Sequence, residues 1–166
     1  MKKIGVVSDT HGKKLEGGFI KFLNECDEIW HAGDIGNLGI IKNLELIKPV
    51  KAVYGNIDGP EIRYVWPEYQ EFSCESVKVF MTHIGGKPGK YDPTVEPLLK
   101  NTSPDLFICG HSHILKIQYD NSRDFLFVNP GAAGVSGFHK VRTAVRFQID
   151  GENIQEMEIY EMDRKA

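Results

Sequence analysis

The feature that most limits what this chain can fold into is a repeated unit, a short apolar run that stops at a small polar cluster. Ile4–Val7 runs into Asp9-Thr10-His11-Gly12, Glu28–Trp30 into His31-Ala32-Gly33-Asp34, and Val50–Tyr54 into Gly55-Asn56. Val77–Thr82 ends at His83, and Leu106–Cys109 at Gly110-His111-Ser112-His113. Successive clusters lie roughly 25 residues apart, enough for a strand, a crossover and the next strand, so each can return to one rim. Between the early runs, Phe19–Cys26 carries apolar residues at helical spacing, and Leu38–Ile47 reads as a helix stopped by Pro49. Strand, loop and helix thus alternate, the pattern of a parallel sheet with helices on its faces.

Further along, Val95–Lys100 reads as helical, and from Ile114 the chain reads as strands: Leu115–Tyr119, Phe125–Val128, Thr143–Ile149 and Ile154–Tyr160. Asp120-Asn121-Ser122 and Asp150-Gly151 supply the turns. The expected fold class is α/β, two mixed β-sheets packed as a sandwich with helices on the outer faces. With 166 residues the expectation is one domain, 1–166, able to bury a core without disulfides.

Composition excludes several function classes. Hydrophobic residues are 41% and charged residues 26% of the chain, a globular balance, and the formal net charge of −3 disfavours a broad nucleic-acid or anionic-membrane surface. Cys26, Cys74 and Cys109 form no Cys-x-x-Cys pair, which argues against a thiolate zinc site. The apolar stretch before Asp9 is too short for a signal-peptide core, so the expected location is cytoplasmic.

The clusters themselves are oxygen and imidazole donors without sulfur, which suit Mn, Fe, Zn or Ni. Taken singly each is ordinary: a strand-end Asp caps or solvates a loop, Gly-Asn is a turn, and His-x-His is a surface pair. Five of them in order, each at a strand end, point to a metal centre at the carboxyl rim of a sheet.

The pattern Asp9-x-His11, Gly33-Asp34, Gly55-Asn56, His83 and Gly110-His111-x-His113 resembles the signature of the calcineurin-like metallophosphoesterases. Length, the strand-rich ending and Asn129-Pro130-Gly131 resemble its small prokaryotic YfcE-type phosphodiesterase branch, over Ile4 to about Gly134. The resemblance implies a four-layer αββα fold and two divalent ions per chain, manganese favoured over Fe, Ni or Zn. It further implies that Asp9, His11, Asp34 and His113 hold one ion. Asp34 would bridge to the other, held with Asn56, His83 and His111. The implied reaction is phosphodiester hydrolysis by in-line attack of a hydroxide shared between the ions. The implied partner is a small phosphodiester or phosphomonoester, with no membrane and no broad nucleic-acid surface expected, and a homo-oligomer is left open. Two other readings stand beside it: a phosphomonoesterase, and a protein-interaction scaffold like the retromer subunit, in which metal ligation is impaired. Here all seven positions carry competent donors, which favours an enzyme.

One position departs from the pattern. Larger members follow the Asn with a His that assists the leaving group; here it is Ile57, which has no proton to give. His31, Asp58 and Asn129 are candidates for supporting roles behind the ligands. His139 reads as a surface histidine, and Lys13, Lys14, Lys87 and Lys90 as solvated lysines. Trp30, Trp66 and the phenylalanines read as core.

Overall fold

A computed structural model describes residues 1–165. Its strands form two five-stranded mixed sheets and one small hairpin. In the first sheet β1 (Lys2–Val7), β2 (Glu28–His31) and β3 (Val50–Ala52) run parallel, separated by helices α1 (Gly18–Asn24) and α2 (Leu38–Glu45). The last two strands, β11 (Val141–Asp150) and β12 (Asn153–Asp163), join this sheet antiparallel, β11 lying against β1. The second sheet has the order β4 (Tyr69–Cys74), β5 (Val77–Thr82), β8 (Leu106–Ile108), β10 (Phe125–Pro130) and β9 (Leu115–Asp120). Its centre, β5-β8-β10, is parallel, and both edges are antiparallel.

Strand alternation divides the core. Ile4, Val6, Trp30, Val145 and Phe147 from one sheet and Val79, Met81, Leu106, Ile108 and Val128 from the other make one apolar cluster between the sheets. Val7, Ile29 and Ala144, on the opposite face, pack with Phe19, Leu23, Ile40, Ile41 and Leu44 of α1 and α2. Phe80, Phe107 and Phe127 pack with Val95 and Leu99 beside α4 (Glu96–Thr102). Strands buried on both faces read as continuous apolar runs, which is why they were visible in the sequence.

Three elements escape that reading. The helix α3 (Pro60–Val65) is six residues long and follows seven loop residues, with Pro60 pre-set for its first turn. The edge strand β4 alternates exposed and half-buried residues and contains Gln70, Glu71 and Ser73, so it lacks an apolar run. The hairpin β6 (Gly86–Lys87) and β7 (Lys90–Tyr91) lies in what the composition marks as a Gly- and Lys-rich loop. Among the described residues no helix is long and apolar enough to cross a membrane.

Trp30 ties the sheets together. It is fully buried, meets Phe72 of β4 edge-on at 4.9 Å between ring centroids and Phe147 of β11 at 6.2 Å, and donates its indole N–H to Glu28. Trp30→Ala should therefore lower stability by about 3–5 kcal/mol, measured as a shift in urea unfolding with an unchanged slope.

Candidate metal centre

The carboxyl ends of β1, β2 and β3 meet those of β5 and β8, and their loops are sewn to one another through the backbone. The amide of Asp9 donates to the carbonyl of Gly33, that of His11 to Asp34, and that of Gly12 to Ile35, each at 2.9 Å. Gly110 N–H donates to the carbonyl of His83 at 2.9 Å, and Gly134 N–H to that of Asp9 at 3.1 Å. Two glycines are required by closeness. A Cβ on Gly55 would lie 2.1 Å from Oδ1 of Asp34, and one on Gly110 would lie 2.1 Å from Oγ of Ser8.

The turns are tight enough to push non-glycine residues into the left-handed region. Nine described non-glycine residues have positive φ, and five are expected ligands: Asp9 (55°), His11 (46°), Asp34 (54°), His111 (71°) and His113 (63°). Such a conformation costs of order 1 kcal/mol or more per residue and persists only where surrounding bonds enforce it. Here it turns each side chain back toward a common point instead of along the strand.

Six of the seven expected ligands fall into two groups whose donor atoms lie within 4.8 Å of one another: Asp9, His11 and His113, and Asp34, His83 and His111. Nε2 of His113 is 3.2 Å from Oδ1 of Asp9, and Nε2 of His83 is 3.2 Å from Oδ2 of Asp34. The groups touch at Asp34, whose Oδ2 also stands 3.3 Å from Nε2 of His11. Its other oxygen accepts a bond from the Ile57 amide (3.1 Å), so one carboxylate oxygen faces both groups. The seventh residue, Asn56, lies on the exposed rim with Oδ1 3.1 Å from Nδ1 of His111.

The donor set fits cations. Among the described residues, five buried polar side-chain atoms lack a hydrogen-bond partner, and three of them are Oδ1 of Asp9, Nε2 of His11 and Nε2 of His83. Unpartnered buried donors are costly unless something else satisfies them. Nδ1 of His83 is bound to the carbonyl of Ala32 at 2.7 Å, which as a pure acceptor puts the ring proton there and leaves Nε2 a bare lone pair facing Asp34.

Electrostatics point the same way. Burial opposes ionisation of Asp9, but His11, His113, His83 and the Ser8 hydroxyl outweigh it and hold the carboxyl well below its usual range. Asp34 is also lowered: burial again opposes, and His83 and the Ile57 amide prevail. The carboxylates in turn raise His11, through Asp9 first, and His83, where Asp34 and Asp9 overcome burial. Two anions thus draw positive charge onto the facing imidazoles; a divalent cation would supply that charge instead and leave the same nitrogens as neutral lone-pair donors.

The three supporting candidates are all buried and face the loops. Asp58 accepts from the amides of Ile35 (3.1 Å), Gly36 (2.9 Å) and Gly55 (2.8 Å), clamping the turns that carry Asp34 and Asn56. Asn129 donates to the Gly110 carbonyl (2.9 Å) and the Ser112 hydroxyl (3.1 Å) and accepts from Gly131, so it braces the loop of His111 and His113. His31 accepts from the Gly33 amide on Nδ1 (3.1 Å) and faces the Thr10 hydroxyl on Nε2 (2.9 Å). With no exposed surface and both nitrogens engaged, it locks the loops after β1 and β2. Sequence reasoning missed Ser8 and Thr10, whose hydroxyls are ordinary in composition and acquire partners only through folding. His139, expected at the surface, instead has its ring half-buried against His113, 5.1 Å between centroids.

A cleft of about 560 Å³ opens beside the second group. Asn56 and His83 line it, and Tyr54, Tyr69 and Leu98 contribute apolar wall. Its charged lining residues are Arg63, Glu68 and Asp92. Arg63 already donates to the carbonyls of Asp58 (2.6 Å) and Asn56 (3.3 Å).

Two sheets that converge on paired His/Asp groups with a shared carboxylate define a candidate dinuclear metal site. Residues 1–152 match the model of the calcineurin-like phosphoesterase superfamily domain, and the chain belongs to that superfamily. It is 30% identical over 158 residues to a probable metallophosphoesterase of Methanothermobacter thermautotrophicus, covering 91% of this chain and 88% of the relative. A probable metallophosphoesterase of Methanocaldococcus jannaschii is 31% identical over 137 residues, covering 80% and 68%. Among solved structures the fold is similar to Vps29 of Chaetomium thermophilum, with TM-score 0.78, 17% identity and 98% and 97% of the two chains covered.

Burial holds His31 neutral, its pKa depressed to about 4 from 6.5. The unfolded chain protonates it near 6.5, so between these values the unfolded state binds more protons and stability falls as pH drops. In metal-free protein the wild type should lose about 2 kcal/mol more than His31→Gln between pH 7.5 and pH 5, read from urea unfolding at each pH. Equal losses would show that His31 titrates normally.

Proposed function

We propose that this protein is a metal-dependent phosphodiesterase acting on a small phosphoester. The observation that carries the reading is the shared oxygen of Asp34, which faces imidazole nitrogens of both groups at 3.2 and 3.3 Å. Asp9, His11, Asp34 and His113 would hold one divalent ion, and Asp34, Asn56, His83 and His111 the other. Ions bound there would neutralise phosphate oxygens and lower the pKa of an attacking water. Asp9 and Asp34, kept ionised by their neighbours, supply the anionic charge that retains the cations. The neutral donors limit further negative charge beside an anionic substrate. The backbone strain and the clamps of Asp58 and Asn129 hold the donors in place beforehand, so little reorganisation is needed on binding.

The cleft favours a diester over a monoester. Its space and apolar wall suit an organic group on the second ester oxygen. Its one arginine stands against two carboxylates, Glu68 and Asp92, so the lining offers no net positive charge for a monoester dianion. The relatives named as probable metallophosphoesterases support the reaction class.

Purified protein should hydrolyse bis(p-nitrophenyl) phosphate faster than p-nitrophenyl phosphate when supplied with Mn²⁺, and chelation should abolish both. Asp34→Asn should reduce the diester rate at least about a hundredfold, as expected for loss of a charged shared ligand. Hydrolysis of the monoester alone would favour the phosphatase reading, and metal binding without hydrolysis would favour a scaffold.

Ile57 is 47% exposed on the rim and contributes only its amide to the site, so the residue after Asn56 supplies no acid. Aryl diesters should therefore be cleaved far faster than alkyl diesters, with rates falling steeply as the leaving-group pKa rises. Ile57→His should narrow that gap about a hundredfold, the lower range of general-acid catalysis. Equal rates across a leaving-group series would show that another proton donor is present.

A further inference from the structure

His139 lies on the loop between β10 and β11, far in sequence from every expected ligand. Its Nε2 is 2.9 Å from the carbonyl oxygen of Gly134, and its Nδ1 is 3.3 Å from Nδ1 of His113. A carbonyl has no proton to give, so Nε2 of His139 carries the ring N–H. A neutral imidazole has only one, which leaves Nδ1 of His139 as an acceptor. The contact with His113 is then a hydrogen bond only if Nδ1 of His113 donates. That places the one N–H of His113 away from the site and leaves its Nε2 a lone pair, 3.2 Å from Oδ1 of Asp9.

We propose that His139 is a positioning residue: tethered to Gly134, it accepts from Nδ1 of His113 and fixes His113 Nε2 as the donor to the cation of the Asp9 group. His83 reaches the same state by donating Nδ1–H to Ala32. His113, on a loop without such a carbonyl, uses a second histidine. Both anchors of that histidine are held. Gly134 donates its own amide to the carbonyl of Asp9 at 3.1 Å. On the other side Arg164 donates its guanidinium to the carbonyl of Gly137 and its amide to that of Lys140 at 3.0 Å. His139 thus couples the β10–β11 loop to one cation group and leaves the other untouched.

The inference rests on the metal-binding reading, and the test separates the two. It uses the full chain with Zn²⁺ alone as probe. Titration calorimetry of the wild type should resolve two ions per chain. In His139→Ala one ion should bind as in the wild type, while the other weakens about ten- to hundredfold, as when a histidine ligand loses its outer partner. His139→Asn, whose side-chain carbonyl can still accept from His113, should recover most of that loss. Long-range ¹⁵N–¹H correlation spectra of the zinc-loaded wild type should find the His113 proton on Nδ1. Unchanged affinity for both ions in His139→Ala overturns the inference and leaves the metal reading intact. So does an equal loss in Ala and Asn, or a His113 proton on Nε2. A wild type that takes up no zinc overturns both.

Discussion

The structure around the sheet ends is organised by two buried carboxylates, Asp9 and Asp34, that must stay charged. Removing a carboxylate from water favours its protonated form unless nearby charge and hydrogen bonds compensate. Asp9 is fully buried, and its Oδ2 receives the Ser8 hydroxyl at 2.6 Å and the His111 amide at 3.1 Å. Its Oδ1 has no hydrogen-bond partner, and Oδ2 of Asp34 is flanked by His11 and His83. Each carboxylate therefore has one oxygen secured to the protein and one turned toward the imidazoles. That division makes the site a receptor for positive charge instead of a set of internal salt bridges.

Holding the open oxygens in place requires backbone that would not adopt its conformation alone. The positive φ angles at five expected ligands are held by cross-loop hydrogen bonds from Gly12, Gly110 and Gly134 and by the clamps of Asp58, Asn129 and His31. None of these groups needs to touch a substrate. They act by fixing the chain on either side of a ligand, which is why their side chains are buried although polar. The rim is different: Asn56 and His111 are exposed, and Asn56 also lines the cleft. A buried anionic floor and an accessible neutral rim allow cations to be retained while an ester approaches from one side.

Much of this was legible in the residues. Strands buried on both faces need continuous apolar runs, so β1, β2, β5 and β8 announce themselves, and the polar clusters that end them supply the six His/Asp residues now grouped at the site. Elements stabilised from outside themselves were not legible. The edge strand β4 depends on pairing with β5, and α3 on the loop that precedes it, so neither needs a distinctive local pattern. Asp58 is visible as a candidate through nearness to Asn56 and Asn129 through its Asn-Pro-Gly loop, but their work, three amides for one and a loop brace for the other, exists only after folding. His139 had no local signal, because its partner is 26 residues away.

The sequence by itself determined which residue types arrive at strand ends, because periodicity and turn chemistry are local properties. It determined the absence of sulfur from the donor set and the missing proton donor at Ile57 in the same way. Only the tertiary structure decided which donors share a group, that one oxygen of Asp34 faces both groups, and that Asn56 lies at the rim while Asp9 lies at the floor. It also decided which nitrogen of His83 and His113 is free, since a ring's proton goes wherever the opposite nitrogen finds its acceptor. Those acceptors, Ala32 and His139, are brought into reach by packing between segments that sequence spacing leaves unrelated.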